Sequence, residues 1–372
     1  MEQIDYWKDG LRILCVRLDN LGDVLMTTPA FRALKTTWPA CHLTLLTSSA
    51  GAAVAAYIPE IDQIIRFDVP WVQGSGGDRK TLLSMANRLS EYGFDAAIVF
   101  TVQSQNPLPA ALLCYLAGIP RVLGYCRENP YQLMTDWVPD PEVLVATRHE
   151  VDRQLALVKT IGCQVEDGPL SIRVAMPDRD YARELLVRAG LAIYRPWVVL
   201  HPGVSEAKRS YPTDYFAQAA RQLIEEHDYQ IVITGSAAER PLADAIYQQL
   251  DSYPRSDRSG GQLPVLNLAG QLTIGQLIGL IAEAPGLIAN NTGPVHIAAA
   301  VGTPVVVLYA KTNPQHTPWR VPNRVLYFDV PVALRSRNVL LQQFPDTDGP
   351  VASPDAIVWA VHELVPELKS IS

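Results

Sequence analysis

The sequence lacks the paired cysteines that a disulfide frame or a zinc site would need. Its five cysteines, Cys15, Cys41, Cys114, Cys126 and Cys163, are odd in number, scattered and never at CxxC spacing. That usage suits reduced thiols in a cytoplasm. Long apolar runs are missing too: none approaches the roughly 20 residues that a membrane helix requires. The opening MEQIDYWKDG has no basic-then-apolar signal design. Any membrane contact is therefore expected from the cytoplasmic surface. Cations are in deficit, 31 Lys and Arg against 38 Asp and Glu for a formal charge of -7, which argues against a general nucleic-acid binder. There is no HExxH and no Walker A sequence, and no GxGxxG follows the first apolar run. These absences count against an ATPase and a conventional dinucleotide dehydrogenase, and no metal site is expected.

What is present is a long, apolar, repeating pattern. With 372 residues, 48% hydrophobic and only 19% charged, the chain exceeds one ordinary core and suits two domains. Short β-branched runs alternate with helical stretches, the pattern of parallel sheets with crossover helices. In the first half the strands read LRILCVRL, HLTLLTS, QIIRF, DAAIVF and RVLGY. The pattern restarts with WVVLHPG, QIVITGS, PVLNLAG, GLIAN and PVVVLYA. The expected organisation is a Rossmann-like domain over 1–175, a linker helix over 176–189, a second Rossmann-like domain over 190–355 and a C-terminal helix over 356–372. The segment 251–264, rich in turn formers, reads as a solvent loop.

Ligands of open α/β sheets bind at the carboxyl ends of strands, so residues there carry the functional reading. In RLDNLGDVLMTTPAFRALK, Gly22 and Asp23 stand where a strand gives way to a helix. A cap explains a carboxylate there, and so does chemistry in a cleft. In ANNTGPVHIAAAVGTP, Gly293 permits close backbone approach and Pro294 suits the first helical position. Free amides at such a helix start suit a phosphate or diphosphate, although Asn291 or Thr292 as a plain cap explains the stretch equally well. His296 lies one turn further on. In HPGVSEAKRSYP, His201, Gly203 and Ser205 are loop residues, and Lys208 and Arg209 bring cations that could balance a leaving diphosphate. In TGSAAERP, Gly235 permits close approach and Glu239 could accept from ribose hydroxyls, or merely favour a helix start. The dinucleotide turn being absent from the first domain, the nucleotide is expected in the second and the acceptor in the first.

These stretches, taken in order with GIPRVLGY, RHEVDRQLALVKTIG and NLAGQLTIGQLIGLI, resemble glycosyltransferase family 9, the heptosyltransferases of lipopolysaccharide assembly, over most of the chain. The resemblance implies a GT-B fold, α/β with two Rossmann-like domains facing across a cleft, and inverting transfer from a nucleotide sugar, ADP-heptose, with no cofactor. It implies Asp23 as general base and Lys208 as the cation steadying the diphosphate. It further implies Thr292, Gly293 and His296 on phosphate oxygens, Leu272 near the base and Glu239 near the ribose, with Gly22 counted on the donor side. Where the family often has Asp before TG, this chain has Asn291, which cannot supply a negative charge. For an anionic glycolipid or glycan acceptor at the inner membrane, Arg17, Arg121, Arg127 and Arg148 are candidate cations. Gln103 and Ser104 are candidates for sugar hydroxyls. A nucleotide-sugar epimerase or hydrolase of the same shape, or a binding protein without catalysis, are the competing readings.

Overall fold

The computed structural model describes residues 6–71, 78–140, 148–164, 168–204, 206, 209–252, 264–310, 314–329 and 351–365. The chain divides into two compact units, Met1–Arg173 and Val174–Ser372. The first runs β1 (Arg12–Arg17), α1 (Leu21–Thr37), β2 (His42–Thr47), α2 (Ser49–Ala55), β3 (Gln63–Arg66), α3 (Arg79–Ser90), β4 (Ala96–Val99), α4 (Leu108–Leu116), β5 (Val122–Cys126), β6 (Asp136–Pro139) and α5 (Glu150–Lys159). Its sheet is parallel throughout, in the order β3-β2-β1-β4-β5-β6. Strands β1, β2 and β4 are almost wholly buried, as expected where helices cover both faces of a parallel sheet.

The second unit begins with α6 (Met176–Arg188) and continues β7 (Trp197–His201), α7 (Thr213–His227), β8 (Gln230–Ile233), α8 (Arg240–Asp251), β9 (Val265–Asn267), α9 (Ile274–Glu283), β10 (Leu287–Asn290), α10 (Gly293–Val301), β11 (Val305–Ala310), β12 (Asn323–Phe328) and α11 (Pro354–Leu364). The sheet order β12-β11-β10-β7-β8-β9 repeats the first unit's order when read from its other edge. The helix read from the sequence as a linker is α6, which packs on α9. Gly279 allows that approach, because a Cβ there would lie 2.7 Å from the Asp178 carbonyl oxygen. Helix α11 packs on α7 and beside β11 and β12. Strands β6 and β12 and helix α5 were not among the elements read from the pattern. Most of the solvent loop expected over 251–264 lies outside the described residues.

Both units reverse strand order once, between β1 and β4 and between β7 and β10. Such a switch point opens a crevice at the carboxyl ends of the two strands, so the fold itself nominates the loops after these four strands.

Helix α1 leads out of the first switch point and must be held firmly to place its first turn. Pro29 inside it has no N–H to give the Leu25 carbonyl. The neighbouring Thr28 supplies the missing donor, its Oγ1 lying 2.7 Å from Leu25 O. The same hydroxyl accepts from the Ser171 N–H at 2.8 Å, tying the end of the unit to α1. Thr28→Val keeps the shape and removes both bonds. It should destabilise the protein by about 1–3 kcal/mol, read as a lower urea midpoint at unchanged slope; an unchanged midpoint would mean that the repair contributes nothing.

Candidate active site

At the first switch point the last residue of β1, Arg17, is completely buried. Its Nη2 donates to Glu150 Oε1 at 2.8 Å and to Asp23 Oδ1 at 3.4 Å, and its Nε lies 3.1 Å from Asp19 Oδ2. Burial disfavours the cation, but Asp19, Glu150 and Asp23 together outweigh it and raise the guanidinium above its usual value, so it stays charged. Asp23 is the third residue of α1. Its Oδ2 accepts the Asn20 N–H at 3.1 Å, which completes a capping box. The carboxylate therefore caps with one oxygen and turns the other toward Arg17, and although largely buried it keeps 9% exposure.

Glu150, the first residue of α5, has no exposure at all. Burial pushes its carboxyl up to about 7; Arg17 opposes that rise and the Asp23 charge adds to it. Gln154 Nε2 donates to Glu150 Oε1 at 2.6 Å and to the Thr101 carbonyl at 3.0 Å. Arg153 Nε donates to the same carbonyl and grips Asp140 with two nitrogens at 2.9 and 3.0 Å. Helix α5 is thus fastened to the loop that follows β4, and this fastening carries Glu150 to the end of β1.

The residues read as acceptor contacts fare differently. Arg17, read as an acceptor contact, is completely buried and ion-paired with Asp19, Asp23 and Glu150, so it presents nothing to solvent. Arg121 is engaged by Asp136 at 3.2 Å and lies over the Tyr6 ring. Arg127, about half exposed, stands 3.8 Å from Asp140. Arg148 and Ser104 are exposed. Gln103 is 2% exposed, and neither amide atom has a hydrogen-bond partner among the described residues. An amide so placed is costly unless water or a ligand meets it. Gly22 is buried in the first turn of α1. Glu150, Gln154 and Thr101 were missed; the stretch RHEVDRQ was noticed, but nothing in it says where its carboxylate goes.

At the second switch point His201 closes β7, and Asn290 closes β10. Asn290 is fully buried and neutral. It accepts the Tyr211 N–H at 3.1 Å and donates to the Pro202 carbonyl at 2.7 Å, which locks the loop after β7 to the end of β10. His201 Nδ1 lies 3.0 Å from Thr234 Oγ1. Burial holds its imidazole below the ordinary value against the pull of Glu239, whose Oε2 is 3.9 Å from Nε2. Glu239 accepts the Ser236 N–H at 2.7 Å, and its carboxylate lies where a Cβ on Gly203 would sit. Gly235, beside it, accepts the Gly270 N–H at 2.8 Å. Leu272 is half-buried just before Thr273, the cap of α9.

Next to this group, Asn291 is buried beside the Tyr309 hydroxyl, and its N–H donates to Leu308 O at 3.1 Å. Thr292 caps α10 in extended conformation with no side-chain cap bond, Gly293 is half-buried, and Pro294 occupies the first turn. His296 is buried one turn in. Ser205 and Lys208 lie outside the described residues. Among the described residues no group of three or more His, Cys, Asp or Glu could hold a metal, and no helix is long and apolar enough to cross a membrane. The arrangement offers one ion cluster with a solvent-reached carboxylate, and one largely neutral pocket floor beside a helix start suited to an anion.

Known proteins resemble the chain over most of its length. Lipopolysaccharide heptosyltransferase 2 of Escherichia coli (strain K12) is 29% identical over 322 residues, 83% of this chain and 85% of that protein. Lipooligosaccharide heptosyltransferase 2 of Haemophilus influenzae is 27% identical over 321 residues, 83% and 86% respectively. The glycosyl transferase family 9 structure from Veillonella parvula superposes with a TM-score of 0.75 at 21% identity, covering 96% of this chain and 97% of that one. The E. coli ADP-heptose lps heptosyltransferase II structure gives 0.69 at 23%, covering 95% and 98%. The two parallel-sheet units are those of the GT-B fold. The model of glycosyltransferase family 9 (heptosyltransferase) matches residues 82–343, and the chain belongs to that family: it is a glycosyltransferase.

Proposed function

We propose that the protein is an inverting heptosyltransferase that moves heptose from ADP-heptose to a lipopolysaccharide core or a related cell-envelope glycan, without a metal ion. The observation that carries this reading is Asp23, a carboxylate at a switch point, pinned by the Asn20 N–H and the Arg17 guanidinium yet still reached by solvent. The similarity to lipopolysaccharide heptosyltransferase 2 over 83% of the chain supports the donor and acceptor classes. The first unit would take the acceptor and the second the nucleotide sugar. A lipid-linked acceptor would bring the protein to the cytoplasmic face of the inner membrane.

In the proposed reaction the acceptor hydroxyl oxygen attacks the anomeric carbon from the side opposite the diphosphate. The new C–O bond forms as the bond from that carbon to the phosphate oxygen breaks. Its electron pair leaves on ADP, and Asp23 takes the hydroxyl proton. One displacement gives inversion. A carboxylate at a helix start is a weak base for a ground-state hydroxyl, but the hydroxyl becomes acidic as its bond to carbon forms, so the proton moves late. Charge growing on the leaving diphosphate would be met by Lys208 and by the free amides of α10 at Thr292 and Gly293. Glu239 is suited to ribose hydroxyls, His201 and Gly203 to the approach of the diphosphate, and the backbone at Leu272 to the base. His296 would support the phosphate-binding loop from within α10.

Calorimetry and turnover with ADP-heptose test the two principal assignments. Asp23→Asn should lower turnover by roughly 10²–10⁴-fold while leaving the donor dissociation constant nearly unchanged; full turnover would remove Asp23 from the base's role. Lys208→Ala should weaken ADP-heptose binding by about 1.5–3 kcal/mol, roughly 10- to 150-fold in Kd. An unaltered constant would place Lys208 off the diphosphate, and tighter binding of GDP-, UDP- or dTDP-linked sugars than of ADP-heptose would move the protein out of heptose chemistry.

A further inference from the structure

We propose that Glu150 is a positioning residue for the transfer reaction: by sharing the Arg17 guanidinium with Asp23, it sets how firmly that cation holds the base. The inference rests on the reading of Asp23 as general base.

A single nitrogen, Arg17 Nη2, serves both carboxylates, Glu150 at 2.8 Å and Asp23 at 3.4 Å. The short bond goes to the group with no solvent access, the long one to the group that solvent reaches. This ordering matters for chemistry. A carboxylate held at full contact by an arginine has its pKa lowered by roughly 1–3 units, and a base so weakened accepts a proton poorly. Glu150 draws the cation off Asp23, and its own charge further favours protonation of Asp23. The arginine is kept close enough to orient the base without quenching it.

Among the described residues, Glu150 is faced by Arg17 from β1, Asp23 from α1, and Gln154 and Arg153 from α5 itself, while Asp19, from the loop after β1, pairs with Arg17. Arg153, held by Asp140, also lowers the Glu150 carboxyl, while the guanidinium in hydrogen-bond contact with it is that of Arg17. With Glu150 ionised, three carboxylates share one guanidinium; with Glu150 protonated, two do. Burial places that protonation near neutrality. The sign follows: as pH falls, Glu150 gains a proton, releases Arg17 to Asp23, and the base weakens. As pH rises, Glu150 ionises, Arg17 is drawn back, and turnover recovers.

The test is turnover of ADP-heptose against pH, between about 5.5 and 9, for wild type, Glu150→Gln, Gln154→Met and Asp23→Asn, each checked for folding by circular dichroism. Wild type should show an acid limb near neutrality. Glu150→Gln should lose that limb and run roughly tenfold slower with an unchanged KM for the donor, a split that a merely structural defect would not give. Gln154→Met removes the 2.6 Å hydrogen bond to the Glu150 carboxylate and should move the limb to higher pH; it decides the matter if Glu150→Gln does not fold. A folded Glu150→Gln with the wild-type limb and rate, or a Gln154→Met limb that stays in place, overturns the role of Glu150. Should Asp23→Asn turn over normally, the base assignment itself fails; if it is inert while the other two behave as wild type, the inference about Glu150 fails alone.

Discussion

A guanidinium with no access to water has to be neutralised where it stands. Removing one partner from a buried ion pair typically costs 3–5 kcal/mol, so the surroundings of Arg17 are built to prevent it. Three carboxylates come to it from three places in the chain: two residues on, six residues on, and 133 residues on. The last of these requires α5 to end up at the mouth of β1. Two side chains of α5, Arg153 and Gln154, bond one carbonyl after β4 to make sure of it. The position of Asp23 is thus a by-product of satisfying Arg17, and a carboxylate obtained this way needs no further device to hold its orientation.

Much of this fold is visible in composition and period. Strands such as ILCVR and VVVLYA are continuous apolar runs because both faces of a parallel sheet are covered, and every strand of that kind was read. The two that escaped, DWVP and NRVLYF, are β6 and β12, each at one edge of its sheet, partly exposed and carrying polar or proline residues, whereas the opposite edges, β3 and β9, were read from QIIRF and PVLNLAG. An edge strand has one neighbour and a wet side, so it can lose the signal that marks its interior siblings. His201 and Asn291 were singled out for a related reason: the first ends a buried strand and the second directly follows one. Arg17 was not legible. A cation next to an apolar run reads as surface charge, and its burial depends on Glu150, whose pairing across 133 positions no local pattern records. The same holds for Asn290, whose role as a lock between two loops appears only with its partners Tyr211 and Pro202.

The two sheets share one strand order and fill their switch points with opposite electrostatics. The first holds a buried cation outnumbered by acids, Asp19, Asp23 and Glu150. The second is floored by Asn290, Asn291 and an imidazole that burial keeps below its ordinary value, next to a helix whose first amides are unclaimed by a capping side chain. Neutral, fixed dipoles there can meet an anion without being neutralised by a resident carboxylate. Glu239 is the exception, and its position fits the rule: its carboxylate is spent on the Ser236 N–H and backed against Gly203, so part of its charge is already answered. One topology used twice gives a buried cation ringed by acids in one copy and a largely neutral floor in the other, because what differs between the copies is the charge of the few residues at the ends of the central strands.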